Sequence, residues 1–382
     1  MPKIAIVAGE ASGDLLGCHL MRALKAQRGD LSFIGIAGPK MIGEGARSLF
    51  PIEKLSVRGY VEVIKHLYEL LKLRRSLLKQ LLEEKPDIFI GVDAPDFNFW
   101  LERKLKKRGI PTIHYVSPSI WAWRRGRMGK IKRAVSHILA LFPFEPALYE
   151  AVEVPVTYVG HPLADELPLK PSKTAAREIL KIEKNKLVIA MLPGSRQSEV
   201  KQHAELFVNA AKIISEKKAD PQSAGVQFLV PLITRETRAI FEHALYKGTS
   251  HGIDLIILFG HAHEAIEAAD LVIVASGTAT LEAALLKKPM VITYRMPKVS
   301  WWILKRMNYL PYVGLPNILA GKFLVPELLQ DKATPQTLAD TVMRILNDTN
   351  YLEEIQQDFT DIHISLKQNT AEKAAKAILA YL

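Results

Sequence analysis

The chain has 382 residues, 48% hydrophobic and 24% charged, and its 51 basic side chains against 40 acidic ones give a formal charge of +11. At roughly 150 residues per domain this predicts two domains, and the balance of apolar and charged residues excludes collagen-like and disordered chains. One cysteine, Cys18, excludes an internal disulfide; apolar runs such as Ile138–Phe144 fall short of the roughly 18 residues of a membrane span, and Ile4–Ala8 is too short for a secretory leader.

A soluble, cytoplasmic chain is expected, with an anionic partner to match its charge. In chain order, short apolar runs that read as buried strands fall at Lys3–Ala8, Phe33–Ala37, Asp87–Val92, Thr112–Val116, His137–Leu141 and Thr157–Val159. Each alternates with a helical pattern, the signature of a parallel sheet covered on both faces. Gly160–Lys173, with three prolines and no periodicity, reads as a linker. The pattern then restarts at Leu187–Leu192, Val226–Pro231, Leu255–Leu258, Leu271–Ala275 and Met290–Tyr294, and from Pro335 onward only helical periodicity remains. The fold class is α/β, with two doubly wound parallel-sheet domains over 1–168 and 169–340. A helical segment over 341–382 packs back on the first domain or on a partner chain. Asn369 and Glu372 have the spacing of a capping box for its last helix.

Chemistry concentrates where strands run into turns. In the first domain, Gly9-Glu10-Ala11-Ser12-Gly13-Asp14 opens the backbone and presents carboxylates, which suits a hydroxyl-bearing ligand better than a pyrophosphate; the plainer reading is a capping turn through Ser12 or Asp14. Asp93 stands at the carboxyl end of an apolar strand, where such sheets place their sites, and can serve as a general base. Asp96 is read as the cap of the helix after Pro95. His114, at a similar strand end, is a second candidate, although a core histidine is the commoner outcome.

In the second domain, Pro193-Gly194-Ser195-Arg196 and Ser276-Gly277-Thr278-Ala279-Thr280 each follow a buried strand and open a helix. Helix N-termini bind anions, and an arginine adds charge that a dipole cannot, so two such turns suggest a diphosphate. Glu282, one turn on, comes within reach of a ribose; alternatively it completes a capping box. Neither turn is a Walker loop or a G-x-G-x-x-G, and the scattered histidines, with His261 and His263 the nearest pair, give no metal spacing.

Val61–Leu82 is an amphipathic helix whose apolar arc includes Val61, Val63, Ile64, Leu67, Leu70 and Leu71. A core-facing helix explains the arc, but Arg74 and Arg75 interrupt it, as expected where a helix rests on anionic lipid. Trp121-Ala-Trp123-Arg124 and Trp301-Trp302 beside Lys305 and Arg306 have the same character. They would also suit nucleic acid, but no RNA-binding signature accompanies them.

Taken together, Ala5–Asp14, Gly91–Asn98, His114–Arg124, Leu192–Arg196, Ala275–Ala279, Leu315–Gly321 and Val325–Gln330 resemble the lipid-A-disaccharide synthase family over nearly the whole chain. The resemblance implies a GT-B glycosyltransferase with two Rossmann-like domains facing a central cleft. It implies transfer of 2,3-diacylglucosamine from UDP to 2,3-diacylglucosamine 1-phosphate, with no metal or other cofactor and no nucleic-acid partner. It also implies a peripheral place on the cytoplasmic face of the inner membrane and, commonly, a dimer through the C-terminal segment. On that basis Asp93, Glu10 and His114 are the catalytic candidates. Gly194, Ser195, Arg196, the 276–280 turn, Glu282 and Asn317 would hold the UDP-sugar, and Ser12, Gly13 and Asp96 the acceptor. The nearest alternative is a UDP-sugar 2-epimerase of the same double fold.

Overall fold

A computed structural model describes residues 1–55, 60–121, 125–218, 225–248, 252–297, 301–302, 306 and 309–382, without the side chains of 60–67 and 125. The chain forms two compact units, residues 1–165 with 365–382, and residues 166–364.

The first unit runs β1 (Lys3–Ala8), α1 (Ala11–Gln27), β2 (Ser32–Ile36), α2 (Pro39–Gly43), β3 (Ala46–Ser48), α3 (Tyr60–Glu84), β4 (Ile88–Val92), α4 (Pro95–Lys106), β5 (Thr112–Tyr115), α5 (Met128–Ala134), β6 (His137–Ala140), α6 (Glu145–Glu150), β7 (Val156–Tyr158) and α7 (Pro162–Glu166). Its seven strands are all parallel, in the order β3-β2-β1-β4-β5-β6-β7. The central strands are apolar almost without interruption because helices cover both faces; Ile4, Ile6, Ile88, Phe89 and Ile90 are fully buried.

The second unit runs α8 (Lys173–Ile179), β8 (Leu187–Leu192), α9 (Gln197–Lys217), β9 (Val226–Leu232), α10 (Arg235–Lys247), β10 (Asp254–Phe259), α11 (Ala262–Ala268), β11 (Leu271–Ala275), α12 (Thr278–Leu285), β12 (Met290–Tyr294), α13 (Leu315–Ala320), β13 (Glu327–Leu329), α14 (Pro335–Leu346) and α15 (Thr349–Leu366); α16 (Thr370–Leu379) follows. Its six parallel strands are ordered β10-β9-β8-β11-β12-β13. The two strands that the sequence did not announce, β3 and β13, are three residues long and lie at sheet edges, so neither needs an apolar run.

The expected divisions at 168/169 and 340/341 shift. The first falls after Asp165, and the helical segment is not one arm, because residues 341–364 stay with the second unit while 365–382 return to the first. Within this chain, residues 365–382 pack in the first unit. Ala374, Ala375 and Ile378 join the core that contains Leu20, Met21 and Leu24 of α1. The cap of α16 is also not the expected one. Asn369 makes no side-chain capping bond. Asp165 supplies it from across the fold: its Oδ1 accepts from the backbone N–H of Gln368 and Asn369 at 3.0 Å each, and its Oδ2 from Thr370 at 2.7 Å.

The apolar arc of α3 divides as well. Leu73, Leu77 and Leu81 are buried, and Leu78 and Leu82 pack on the same core, so this end faces inward. Arg74, unexplained in the sequence, lays its guanidinium 4.4 Å from the centre of the Trp100 ring on α4. Leu70 and Leu71 are half-buried, and the side chains of Val61, Val63, Ile64 and Leu67 lie outside the described residues. Among the described residues no helix is long and apolar enough to cross a membrane.

Replacing Asp165 with Ala removes the partner of three helix-end donors, a loss of about 1–2 kcal/mol by the usual cost of a missing cap. Urea denaturation should show that loss, and amide exchange in 370–379 should accelerate before exchange in β1. Unchanged exchange there would show that α16 does not depend on this carboxylate.

Candidate active site

Both sheets reverse their winding at their first strand. β1 lies between β2 and β4, and β8 between β9 and β11. Neighbouring loops therefore diverge to opposite faces and leave a crevice at the carboxyl ends of these strands, where open α/β sheets bind ligands.

In the second unit a cavity of about 560 Å³ occupies that crevice, lined by the 194–196 turn after β8, the 275–279 turn after β11, and Glu282. The two turns differ in what they offer. Gly277, the residue before α12, has φ +130° and makes no side-chain cap, and a Cβ built on it would meet nothing within 4 Å. Gly277, Thr278 and Ala279 at the N-terminus of α12 line this cavity, so the positive end of the helix dipole makes an anion site there.

The turn after β8 is already occupied. The Glu199 carboxylate accepts from Ser195 N at 3.1 Å and Arg196 N at 3.3 Å, and it pairs with Arg196 Nη1 at 3.1 Å. Gly194 is required there, since its φ is +122° and a Cβ would come within 2.5 Å of Glu199 Cβ. This turn thus brings a guanidinium rather than backbone donors. The Arg196 side chain is 64% exposed against 17% for Glu199, so the rest of the fork is available to a ligand. His203 braces the turn from beneath. Its Nε2 accepts from Arg295 N at 2.9 Å, so Nδ1 carries the proton and donates to the carbonyls of Glu199 and Pro193 at 2.8 and 3.1 Å. Burial lowers the His203 pKa and favours that neutral form.

Glu282 lines the cavity one turn into α12, with His263 Nε2 3.4 Å from its Oε2; that carboxylate raises the His263 pKa. Tyr294, Met296, Trp301 and Val313 add an apolar wall. Strand-end logic could have found Tyr294, which closes β12 beside β11. Trp301 carried a signal that the sequence reading assigned to lipid instead. His263 had no signal beyond its proximity to His261.

Two expected ligand contacts are corrected. Thr280 is fully buried, and its hydroxyl donates to Gly277 O at 2.7 Å. Asn317 is fully buried too: its Nδ2 donates to Val325 O and Glu327 Oε1, and its Oδ1 accepts from Leu324 N and Val325 N, all between 2.8 and 2.9 Å. Asn317 braces the loop that carries Val313.

In the first unit the β1 and β4 turns meet at the crevice. Asp93 and Ala94 are consecutive residues in the left-handed region, at φ +53° and +44°. Such backbone costs about 1–2 kcal/mol per residue and persists where the surroundings enforce it. The half-buried Asp93 carboxylate has no hydrogen-bond partner among the described residues, while its N–H donates to Tyr115 O at 2.9 Å. Val116, at φ +80°, adds a third strained position at the next strand end.

Glu10 is the half-buried residue before α1, Ser12 is exposed in the first turn, and Gly13 is buried against Ala8 and Val92. Asp14 is structural: it accepts from Lys40 N at 2.9 Å and Met41 N at 3.0 Å, capping α2 rather than its own helix. Asp96 is not the cap of α4 either. Ala94 holds the N-cap position, and Asp96 lies exposed with Arg127 Nη2 at 2.9 Å. His114 is fully buried, with Nδ1 2.7 Å from Glu102 Oε1, so it reaches no ligand. Trp121 is tied down by Glu145 Oε1 at 3.2 Å; 122–124, with Trp123 and Arg124, lie outside the described residues. Among the described residues no group of three or more His, Cys, Asp or Glu is placed to hold a metal ion.

The family model described as lipid-A-disaccharide synthetase matches residues 4–381. The chain is similar to the lipid-A-disaccharide synthase of Methylobacillus flagellatus, 64% identical over 382 residues and covering 100% of both chains. Among solved structures, UDP-GlcNAc 2-epimerase from Neisseria meningitidis bound to UDP-GlcNAc aligns with a TM-score of 0.63 at 13% identity, covering 99% of this chain and 98% of that one. Sucrose-phosphate synthase from Thermosynechococcus elongatus aligns with a TM-score of 0.62 at 15% identity, covering 100% and 98%. Those two likenesses are of fold alone, that of GT-B enzymes.

Asn317→Ala orphans Leu324 N, Val325 N and part of Glu327, and should lower stability by about 3 kcal/mol. Calorimetric affinity for a nucleotide, measured on the protein still folded, should stay within about twofold if Asn317 makes no ligand contact.

Proposed function

The chain belongs to the lipid-A-disaccharide synthase family, and from that premise we propose which of its residues carry the reaction. The enzyme is a glycosyltransferase: it transfers 2,3-diacylglucosamine from UDP to the 6-hydroxyl of 2,3-diacylglucosamine 1-phosphate, giving a β-linked lipid A disaccharide phosphate and UDP. The epimerase alternative rests on fold likeness alone.

The observation that carries the residue assignment is the unfilled N-terminus of α12 beside the free part of the Arg196 fork. The UDP diphosphate binds there, Glu282 holds the ribose, and the apolar wall of Tyr294, Met296 and Trp301 takes the uracil ring. As the bond from the anomeric carbon to the diphosphate breaks, its electron pair leaves with UDP. The α12 dipole and Arg196 stabilise that growing charge, commonly the largest contribution in such catalysis.

Asp93 takes the proton of the acceptor hydroxyl as that oxygen attacks the opposite face of the anomeric carbon, so the configuration inverts with one carboxylate. Glu10, Ser12 and Gly13, on the neighbouring β1 turn, orient the acceptor sugar. No metal or other cofactor has a part in this scheme. The acyl chains reach the enzyme from an anionic membrane surface, the cytoplasmic face of the inner membrane. The half-buried Leu70 and Leu71 and the +11 charge support that reading.

The test is a mass-resolved product assay with purified protein and both acylated glucosamine substrates. Conversion of UDP-N-acetylglucosamine without an acceptor would instead favour the epimerase. Asp93→Asn should lower turnover by about 10²–10⁴-fold with UDP affinity retained, and parental turnover would remove Asp93 as the base. Arg196→Ala should weaken UDP binding about 10- to 100-fold, the loss of one charge-assisted contact; equal affinity by calorimetry would refute its role. Serine at Leu70 and Leu71 should reduce co-sedimentation with anionic vesicles while the melting curve holds. A collapsed melting curve would place these leucines in the core.

A further inference from the structure

Behind Asp93 lies a group of buried polar side chains that the reaction does not use. Asn98, Glu102 and His114 are each fully buried. Glu102 Oε1 and His114 Nδ1 are 2.7 Å apart. Gly91 pairs with His114 across β4 and β5. Its missing side chain leaves the room for the cluster: a Cβ there would come within 2.3 Å of Glu102 Oε1 and 2.9 Å of Asn98 Cβ. Phe99 closes one side, its ring centre 4.4 Å from that of His114.

Three atoms of the cluster, Asn98 Oδ1, Glu102 Oε2 and His114 Nε2, have no hydrogen-bond partner among the described residues. Burial pushes the Glu102 carboxyl pKa up, partly offset by His114. A core selected for stability alone would place apolar side chains here, because buried polar atoms left unpaired are unfavourable.

Of the three side chains, that of Asn98 is the one bonded to the strand ends. Asn98 Nδ2 donates to Asp93 O at 2.8 Å and reaches Val7 O at 3.4 Å, so it bridges the ends of β4 and β1 across the crevice. Its bond to Asp93 O falls on the first of two consecutive left-handed residues, which no glycine relieves. A wrong Asp93 backbone would turn the carboxylate away from any acceptor that β1 presents.

We infer that Asn98 is a positioning residue that holds Asp93 in its strained backbone and so directs the Asp93 carboxylate. The inference rests on the reading of Asp93 as the general base. Asn98 touches no substrate; it acts through Asp93.

The experiment is a set of single and double variants, assayed for disaccharide product. Asn98→Ala should lower kcat about 10- to 100-fold, as misplacement of a reacting group by about 1 Å does, with KM and UDP affinity within about twofold. The double variant Asp93→Asn, Asn98→Ala should be no slower than Asp93→Asn alone, because Asn98 has nothing left to position. A purely structural role would instead lower the double variant further, by the factor seen in the single, and would overturn the inference. Parental kcat in folded Asn98→Ala would overturn it too. Should Asn98→Ala not fold, Asn98→Ser carries the same comparison on the Asp93→Asn background. Parental turnover in Asp93→Asn itself would sink the base reading and the inference together; the Asn98 results alone sink only the inference.

Discussion

A parallel sheet covered by helices on both faces has one rim where backbone and side chains can meet a ligand, the carboxyl ends of its strands. That constraint organises both units. Each sheet winds outward from its first strand in both directions, so the turns after β1 and β4, and after β8 and β11, separate and leave a crevice. The proposed base and the proposed diphosphate contacts stand on those four turns, and the rest of each sheet is the apolar body that fixes their spacing.

Carboxylates on and near the turns sort by what already claims them. Asp14 and Asp165 are taken by helix-end N–H groups, Glu199 by the 195–196 backbone, and Glu327 by Val313 and Gly314 N–H at 2.8 to 3.1 Å. These acids do internally what a bound anion would do: they satisfy donors that helices and turns leave over. Asp93 and Glu282 are different. Among the described residues, the former is held only through its backbone, and the side chain of the latter meets only a half-exposed histidine. The second unit shows the same division in its donors, one turn sealed by its own glutamate and the other left open by Gly277. A diphosphate site with one open helix end and one guanidinium follows from that asymmetry.

The parts of this arrangement that were legible in the sequence are those set by local chemistry. Continuous apolar runs such as Leu187–Leu192 and Leu271–Ala275 announce central parallel strands, and their endings place Gly194, Ser276 and Asp93 at turns. What was hidden depends on contacts distant in sequence. Asn369 looks like a cap because its neighbours fit a capping box; nothing local reveals that Asp165, more than 200 residues earlier, arrives first. Asn317 enters the expected donor set through the family resemblance alone, and only the fold shows Glu327 and Val325 round it. Arg74 looks like a headgroup contact until Trp100 is found beneath it. His114 followed the commoner fate of a histidine in a strand, and Glu102 supplied its partner.

The core of the first unit draws on segments far apart in sequence, Ile4 and Ile6 of β1 with Ala374, Ala375 and Ile378 of α16. The second unit is a single uninterrupted stretch. On a ribosome, where domains ordinarily mature in order of synthesis, this order is inverted. The later-made unit holds its own strands before α16 is made, whereas the earlier-made unit must wait, with one flank of α1 uncovered, for α16 to emerge. The nascent first unit is therefore open to chaperones and proteases until α16 arrives, and a stop codon before α16 would damage the unit that was translated first.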